Sequence, residues 1–511
     1  VADRSWLDQA IAFVSPKAAA QRASWRKALD AAHGRRSYEA AKKGRLSGWT
    51  ASDASASALA EAAAPKLRAR CRELARNDAY AARGISVICE SAIGGAGLTP
   101  QPDTGDDALD TQITEAFKAW CEECDATGDS DFFGVQDLAC RTIVEAGDVL
   151  IRRRLRRSTD GLSVPLQVQL LEPDHLDAAL TRNGGNDVVG GIELDQLDRR
   201  QAYHLFRDHP GDSRLRVRGR TLTSTRVPAS EIAHAFIKAR PGQLLGVPWL
   251  SPVILDLVDL KDFEEAALVR AKVEACIGLL VTTPDGGAGP IAPAGFVTDD
   301  DDGRVETLHP GMVEYLKPGE TIESLNPTPT NGYDAFTRAR LHKIATGIGM
   351  PYMLLTGDVS QANFSSYKAG LVPFKQMIRR FQKRVLLPMV CRPLWRWFID
   401  AAEAAGRIDR AEYGVRWTLP GFESIDRQKE ALGELQEIRM GKTSLQEVIR
   451  QGGGSFDRVM AEWAAFAAHV DGKELVFDSD PRRVTRAGVG QPSDPRAQRE
   501  DGGEAPQSGG E

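Results

Sequence analysis

Glycine, proline and aspartate crowd residues 284–330, and this stretch separates two segments patterned as helix. Proline lacks a backbone donor and glycine loses most entropy on ordering, so 284–330 cannot continue either helix. An irregular insertion between two helices is therefore expected there. Ahead of it, Gly246-Val-Pro-Trp-Leu-Ser-Pro252 opens a long helix over about 251–281, with proline at its start, where a missing N–H costs least. The insertion holds two short β-like stretches. A shorter helix over about 333–348, a loop over 349–363 and a long helix over about 365–404 should follow. The last carries Pro373, Pro388 and Pro393, each of which removes a hydrogen bond and crowds the preceding turn. A kinked or broken helix is expected there.

The remainder places this unit in an α+β, mainly helical chain. The first ninety residues are Ala-rich and helical in pattern, interrupted by the Ser/Ala run Thr50–Ser57, and end at Ile93-Gly-Gly-Ala-Gly97. Helices over about 108–126 and 133–146 lead into Val149–Arg152, Leu166–Leu171, Gly191–Leu194 and Ala202–Phe206. These alternate or run apolar between turn residues, which predicts an antiparallel β region. Helices are expected again over 425–440, 443–451 and 455–468. Residues 479–511 hold no aromatic residue, Leu or Ile, and too little apolar surface to order themselves, so a disordered tail is expected.

Charge narrows the function. Sixty-five Lys and Arg against 71 Asp and Glu give a formal net charge of −6, whereas a protein that grips nucleic acid along its outside is usually basic. Seven scattered cysteines in 511 residues suit no disulfide framework and imply synthesis in a reducing compartment. Residues 1–14 lack a basic region followed by a long apolar run, so no signal peptide is expected. The longest apolar stretch, Val273–Val281, falls far short of the ~20 residues that span a bilayer, and no membrane contact is expected.

Few residues suggest catalysis, and no cofactor or metal is expected. The glycines at 94–97 follow a helix rather than a strand, unlike a dinucleotide fingerprint, and the sequence has no Walker A motif. Cys121-Glu-Glu-Cys124 has half the spacing of a zinc site but sits in a helical pattern without a second pair, so buried thiols explain it better. Glu172-Pro-Asp174-His175-Leu-Asp177 offers metal ligands or an acid–base pair; the polar end of a strand is the simpler reading. Asp299–Asp302 lacks the alternation of a calcium loop. Arg152–Arg157, with five arginines, reads first as a solvated edge or a subunit ion-pair surface, and second as a nucleic-acid contact. Along the helix at 251–281, Asp256, Asp259, Asp262 and Glu265 step by three beside apolar Val253, Leu257, Leu260 and Leu268. One wet face is expected, either in bulk solvent or along a cavity.

Several stretches, in order, resemble the lambda-type portal proteins of tailed bacteriophages. They are Asn77–Ala81 before Gly94-Gly-Ala-Gly-Leu, Glu145–Leu150 leading to Leu170-Leu-Glu-Pro-Asp174, and His234-Ala-Phe followed by Arg240–Pro252. The most specific is Gly349-Met-Pro-Tyr-Met-Leu-Leu-Thr-Gly-Asp-Val-Ser-Gln-Ala-Asn-Phe-Ser-Ser366. Gly421–Lys429 and Gly441–Ser444 resemble the family's C-terminal helical region, with Arg427 where the family usually has proline. The similarity covers roughly residues 65–470.

That resemblance implies a non-enzymatic ring, usually of twelve subunits, at one capsid vertex. Double-stranded DNA would pass through it in packaging and ejection, and it would dock the terminase large subunit and head-completion or adaptor proteins beside the major capsid protein. The protein would be made in the host bacterial cytoplasm and end in the virion. By similarity, residues 1–250 are N-terminal helices and wing, 251–283 and 331–348 the stem helices, and 284–330 the clip. Residues 349–364 are the tunnel loop, 365–421 the kinked helix and wing return, 422–475 the crown and 476–511 the tail. Tunnel-loop residues Tyr352, Met353, Thr356, Asp358, Gln361 and Asn363 would face DNA, and Asp256, Asp259, Asp262 and Glu265 would line the channel wall. Twelve copies at −6 give 12 × −6, about −72, a field suited to conducting DNA rather than holding it. The alternatives are a nucleic-acid-processing phage enzyme using the carboxylates near Glu172–Asp177, or a capsid scaffold or adaptor.

Overall fold

The computed structural model describes residues 51–276, 332–422 and 427–477, apart from 183, 214–221, 361–362, 453, 455, 474 and 476. It also describes 15–25 apart from 19 and 23, and the pairs 280–281 and 314–315. The chain forms two compact units, residues 1–55 and 56–511. In the first, the described residues from Pro16 to Trp25 are helical. Most of 284–330, the tail from 478 and Gln361 lie outside the described residues.

The second unit starts with helices α1 (Ala56–Asn77) and α2 (Ala79–Ile93), hinged at Asp78, whose carboxylate caps α2 by accepting from the Ala81 N–H at 2.7 Å. Strand β1 (Thr99–Pro102) and helices α3 (Asp107–Glu123) and α4 (Phe132–Ala146) follow. The β region is antiparallel throughout. Strand β2 (Asp148–Leu155) lies between β3 (Leu166–Leu171) and the later β8, while β4 (Asp187–Val189), β5 (Ile192–Leu194), β6 (Arg200–Phe206) and β7 (Ser224–Pro228) form a second sheet in that order. Strand β8 (Ile232–Phe236) returns to pair Asp148 with Phe236 and Arg152 with Ile232.

Two of the glycine-bearing motifs have one physical cause. A Cβ on Gly246 would lie 2.0 Å from the Gly147 carbonyl oxygen, and one on Gly147 would lie 2.8 Å from the Pro248 nitrogen. The 240–252 loop therefore crosses the end of α4 backbone to backbone. Asp148 fixes the crossing: its buried carboxylate accepts from the Gly246 N–H at 3.2 Å and meets His234 Nε2 at 3.3 Å.

Helix α5 (Ile254–Cys276) opens after a short 3₁₀ turn at Ser251–Val253. It is shorter than the pattern predicted. Leu280–Val281 forms strand β9, paired in parallel with β10 (Glu314–Tyr315), in keeping with the β-branched Val281-Thr-Thr run ahead of Pro284. Helix α6 (Tyr333–Ile348) packs back against α5. The loop expected over 349–363 contains a helix, α7 (Tyr352–Thr356), bracketed by Pro351 at its start and left-handed Gly357 at its end.

The proline-bearing helix does not break. α8 (Phe364–Phe381) runs into ten residues of π-helix (Gln382–Cys391) and then α9 (Arg392–Ala404). Pro388 lies inside the π segment, whose wider winding accommodates the proline ring and absorbs the kink. Gln382, fully buried, donates to the Ala92 carbonyl at 2.7 Å and ties this segment to α2. Strand β11 (Val415–Thr418) pairs with β1, and helices α10 (Arg427–Arg439), α11 (Leu445–Gln451) and α12 (Phe456–Asp471) complete the chain. The main core joins α2 to α9 through Phe117, Trp120, Phe132, Trp395 and Phe398, with Trp120 and Phe398 ring centroids 5.1 Å apart. A smaller core, including Leu150, Leu171, Ile192 and Tyr203, fills the space under the second sheet.

Candidate functional site

The acidic row on α5 divides once α6 packs on it. Asp256 is buried: its Oδ1 accepts from Arg340 Nη1 at 2.9 Å and from Lys343 Nζ at 2.6 Å. It is therefore a structural ion pair between two helices, which corrects its reading as one of four wall charges. Asp259, Asp262 and Glu265 remain exposed. The apolar stripe is shorter than its pattern too. Val253, Leu257 and Leu260 are buried, while Leu268 is exposed, as are Leu255, Val258 and Val269. Farther along, Phe263 stacks on Tyr333 with centroids 5.6 Å apart and meets Phe336 at 4.4 Å.

The described residues 349–360 are more than a bare loop. Gly349 ends α6 at φ +89°, its N–H donating to the Ala345 carbonyl at 2.9 Å, and a Cβ there would lie 2.8 Å from Met377 Sδ. The buried side chains of Met350 and Leu355 anchor the segment, with Leu355 directed at Gly84 of α2. Tyr352 stacks on His342 of α6, centroids 4.3 Å apart, and its hydroxyl donates to Asp358 Oδ2 at 3.3 Å. Thr356 donates to the Tyr352 carbonyl at 3.0 Å and accepts from the Asp358 N–H at 3.1 Å. Hydrogen bonds from Ser360, side chain then backbone, together with that from Tyr352, hold the Asp358 carboxyl below its usual range. Tyr352, Thr356 and Asp358 thus form one cluster. Met353 is half-buried on α7, and Asn363 stands apart, exposed, capping α8 by accepting from the Ser366 N–H at 2.7 Å.

The other reactive-looking groups are neutralised or buried. Arg72 Nη2 lies 2.6 Å from Asp174 and 2.7 Å from Glu172, and Arg68 is 3.4 Å from Asp174. Burial would raise the Asp174 pKa, but the Arg72 hydrogen bond and both arginine charges keep it lowered. Glu172, Asp174 and His209 are close enough to share an ion, but Arg72 already occupies the space between the carboxylates. These arginine partners lie about a hundred residues upstream, so local spacing around Glu172–Asp177 does not reveal them. Burial pushes the Cys121 and Cys124 thiols up, as suits packed side chains rather than zinc ligands. Arg154 is bound to Gln169 on the neighbouring strand and Arg156 to Asp160 at 3.1 Å, so part of the basic run serves its own sheet. No helix among the described residues is long and apolar enough to cross a membrane.

The chain is 27% identical over 449 residues to a probable portal protein of Halomonas phage phiHAP-1, spanning 83% of this chain and 82% of that one. It is 20% identical over 474 residues to the portal protein of Escherichia phage N15, spanning 82% and 87% respectively. Among solved structures, a chain in the virion of a native gene transfer agent particle aligns at 14% identity over 75% of this chain and 93% of its own, with a TM-score of 0.42. A chain in the neck of such a particle, computed with C12 symmetry, aligns at 15% identity over 73% and 89%, with a TM-score of 0.39. The model of the lambda family of phage portal proteins matches residues 42–382, well over half the sequence, and the chain belongs to that family.

Proposed function

We propose that this portal protein assembles as a ring of about twelve copies at one capsid vertex and conducts double-stranded DNA during packaging and ejection. Its role is structural rather than enzymatic. The observation that carries the reading is the order of elements within the family match, α5, the 284–330 insertion, α6, the 349–363 segment and α8, which continues beyond the match through the π segment into α9. In this reading α5 and α6 are the stem, 284–330 the clip, 349–364 the tunnel segment, α10–α12 the crown and the β region part of the wing. Asp259, Asp262 and Glu265 supply the negative wall of the channel, and Asp256 braces the stem from within.

The tunnel segment suits a sliding polyanion. Tyr352, Met353, Thr356, Asp358, Gln361 and Asn363 include no cation, and a conduit must avoid strong phosphate anchors. The terminase large subunit, the major capsid protein and head-completion or adaptor proteins are the partners this assembly requires. Electron micrographs of the purified protein test the proposal: rings with a central hole are expected, and a uniform population of monomers under assembly conditions would overturn it.

A further inference from the structure

A cavity of about 660 Å³ opens between the loop after β8, the Pro248–Pro252 turn and the α8–π helix. Its floor is apolar: Phe236, Trp249, Met377, Phe381, Val385 and Met389. Trp249 is held in place by donating to the Ile348 carbonyl at 2.8 Å and by an edge contact with Phe381, centroids 5.2 Å apart. Lys238, Arg380 and Arg384 stand exposed on the rim, and none has a carboxylate partner among the described residues. An apolar floor ringed by three free cations fits a short peptide with apolar anchors followed by carboxylates. Duplex DNA fits poorly, because it would meet the rim and leave the floor wet.

The chain itself carries such a peptide. Leu475 and Phe477, 48% and 42% exposed, follow α12 and precede Asp478 and Asp480. In an extended strand, residues two apart share a face, so both anchors can enter one groove. Within a single copy these residues are engaged elsewhere: Phe477 lies 5.8 Å from Phe466, and the Leu475 N–H donates to the Val470 carbonyl at 3.2 Å. We propose that residues 475–480 of one copy dock in this groove on the neighbouring copy. Leu475 and Phe477 cover Trp249, Met377 and Phe381, and Asp478 and Asp480 pair with Arg380, Arg384 and Lys238. Plug and groove are different surfaces, so the contact is head-to-tail and leaves one of each for the next copy, as a ring requires. The proposal rests on the ring reading above.

The test is a disulfide trap in the full chain, Ala239→Cys with Ser479→Cys, which leaves every rim charge in place. Mild oxidation should give dimers and a ladder of higher species on a non-reducing denaturing gel, absent from either single variant. Micrographs of the same sample separate the two ideas. Rings without a ladder, or a cross-link confined to single chains, overturn the docking and leave the ring standing; neither rings nor ladder removes both. A labelled Leu475–Asp480 peptide should bind the wild-type chain and lose about tenfold in affinity to R380E/R384E. If that variant instead weakens retention of duplex DNA and leaves peptide binding unchanged, the groove is a nucleic-acid contact and the proposal fails.

Discussion

Asp256 decides how the acidic row is understood, and its partners could not be read from its own helix. Steps of three along α5 put four carboxylates in one row, but which of them α6 covers depends on how the two helices cross. The signal that was available lies on the other helix, where Arg340 and Lys343 sit one turn apart and converge on a single Asp256 oxygen. With the Asp256 side chain 10% exposed and that of Arg340 31%, the pair is partly desolvated, while Lys343, at 65%, keeps much of its water. Asp256→Ala strands two cations at the interface and should cost about 1–3 kcal/mol, below the range for a fully buried pair. Lys343→Ala should cost well under half of that, because Arg340 still pairs. Urea unfolding of both variants measures the difference, and equal losses would mean that Lys343, rather than Arg340, carries the contact.

At the scale of elements, much was legible, and the misreadings share a cause. The antiparallel β region, the paired helices around 284–330 and the three C-terminal helices follow from hydrophobic period and turn residues. Helix α7 was missed because five residues are too few to set a period, although Pro351 and Gly357 marked its ends. The π segment was expected only as a kink: three prolines announce that a helix must deviate, but the form depends on packing, here the burial of Gln382 against α2. The corner between α6 and α7 depends on Gly349 at φ +89°. Gly349→Ala should cost about 1–2 kcal/mol from backbone strain, and more if Met377 cannot withdraw. Adding Met377→Ala should recover the steric part alone. Thermal unfolding gives the totals, and faster amide exchange across 350–357 in G349A would localise the loss to this corner.

For the whole molecule, the charge of −6 matters less than where unpaired charge lies. Arg72 and Arg68 absorb the carboxylates near Glu172, Arg340 and Lys343 absorb Asp256, and Asp259, Asp262 and Glu265 are left exposed on α5. In the proposed ring of twelve, three acids per copy would place about 36 negative charges on the proposed stem, 3 × 12, where they would repel a passing phosphate backbone. Replacing them with Asn, Asn and Gln should leave subunit stability nearly unchanged, because surface substitutions away from special contacts usually fall within about 0.5 kcal/mol. The effect should appear in the assembled particle. Rings of the triple variant should retain duplex DNA longer than wild-type rings at low salt, and the difference should shrink toward about 1 M salt, where the Debye length falls to about 3 Å. Equal retention at every salt concentration would mean that these acids face away from the DNA path. A ring that no longer forms would instead assign them to contacts between subunits, so neither failure can be mistaken for the other.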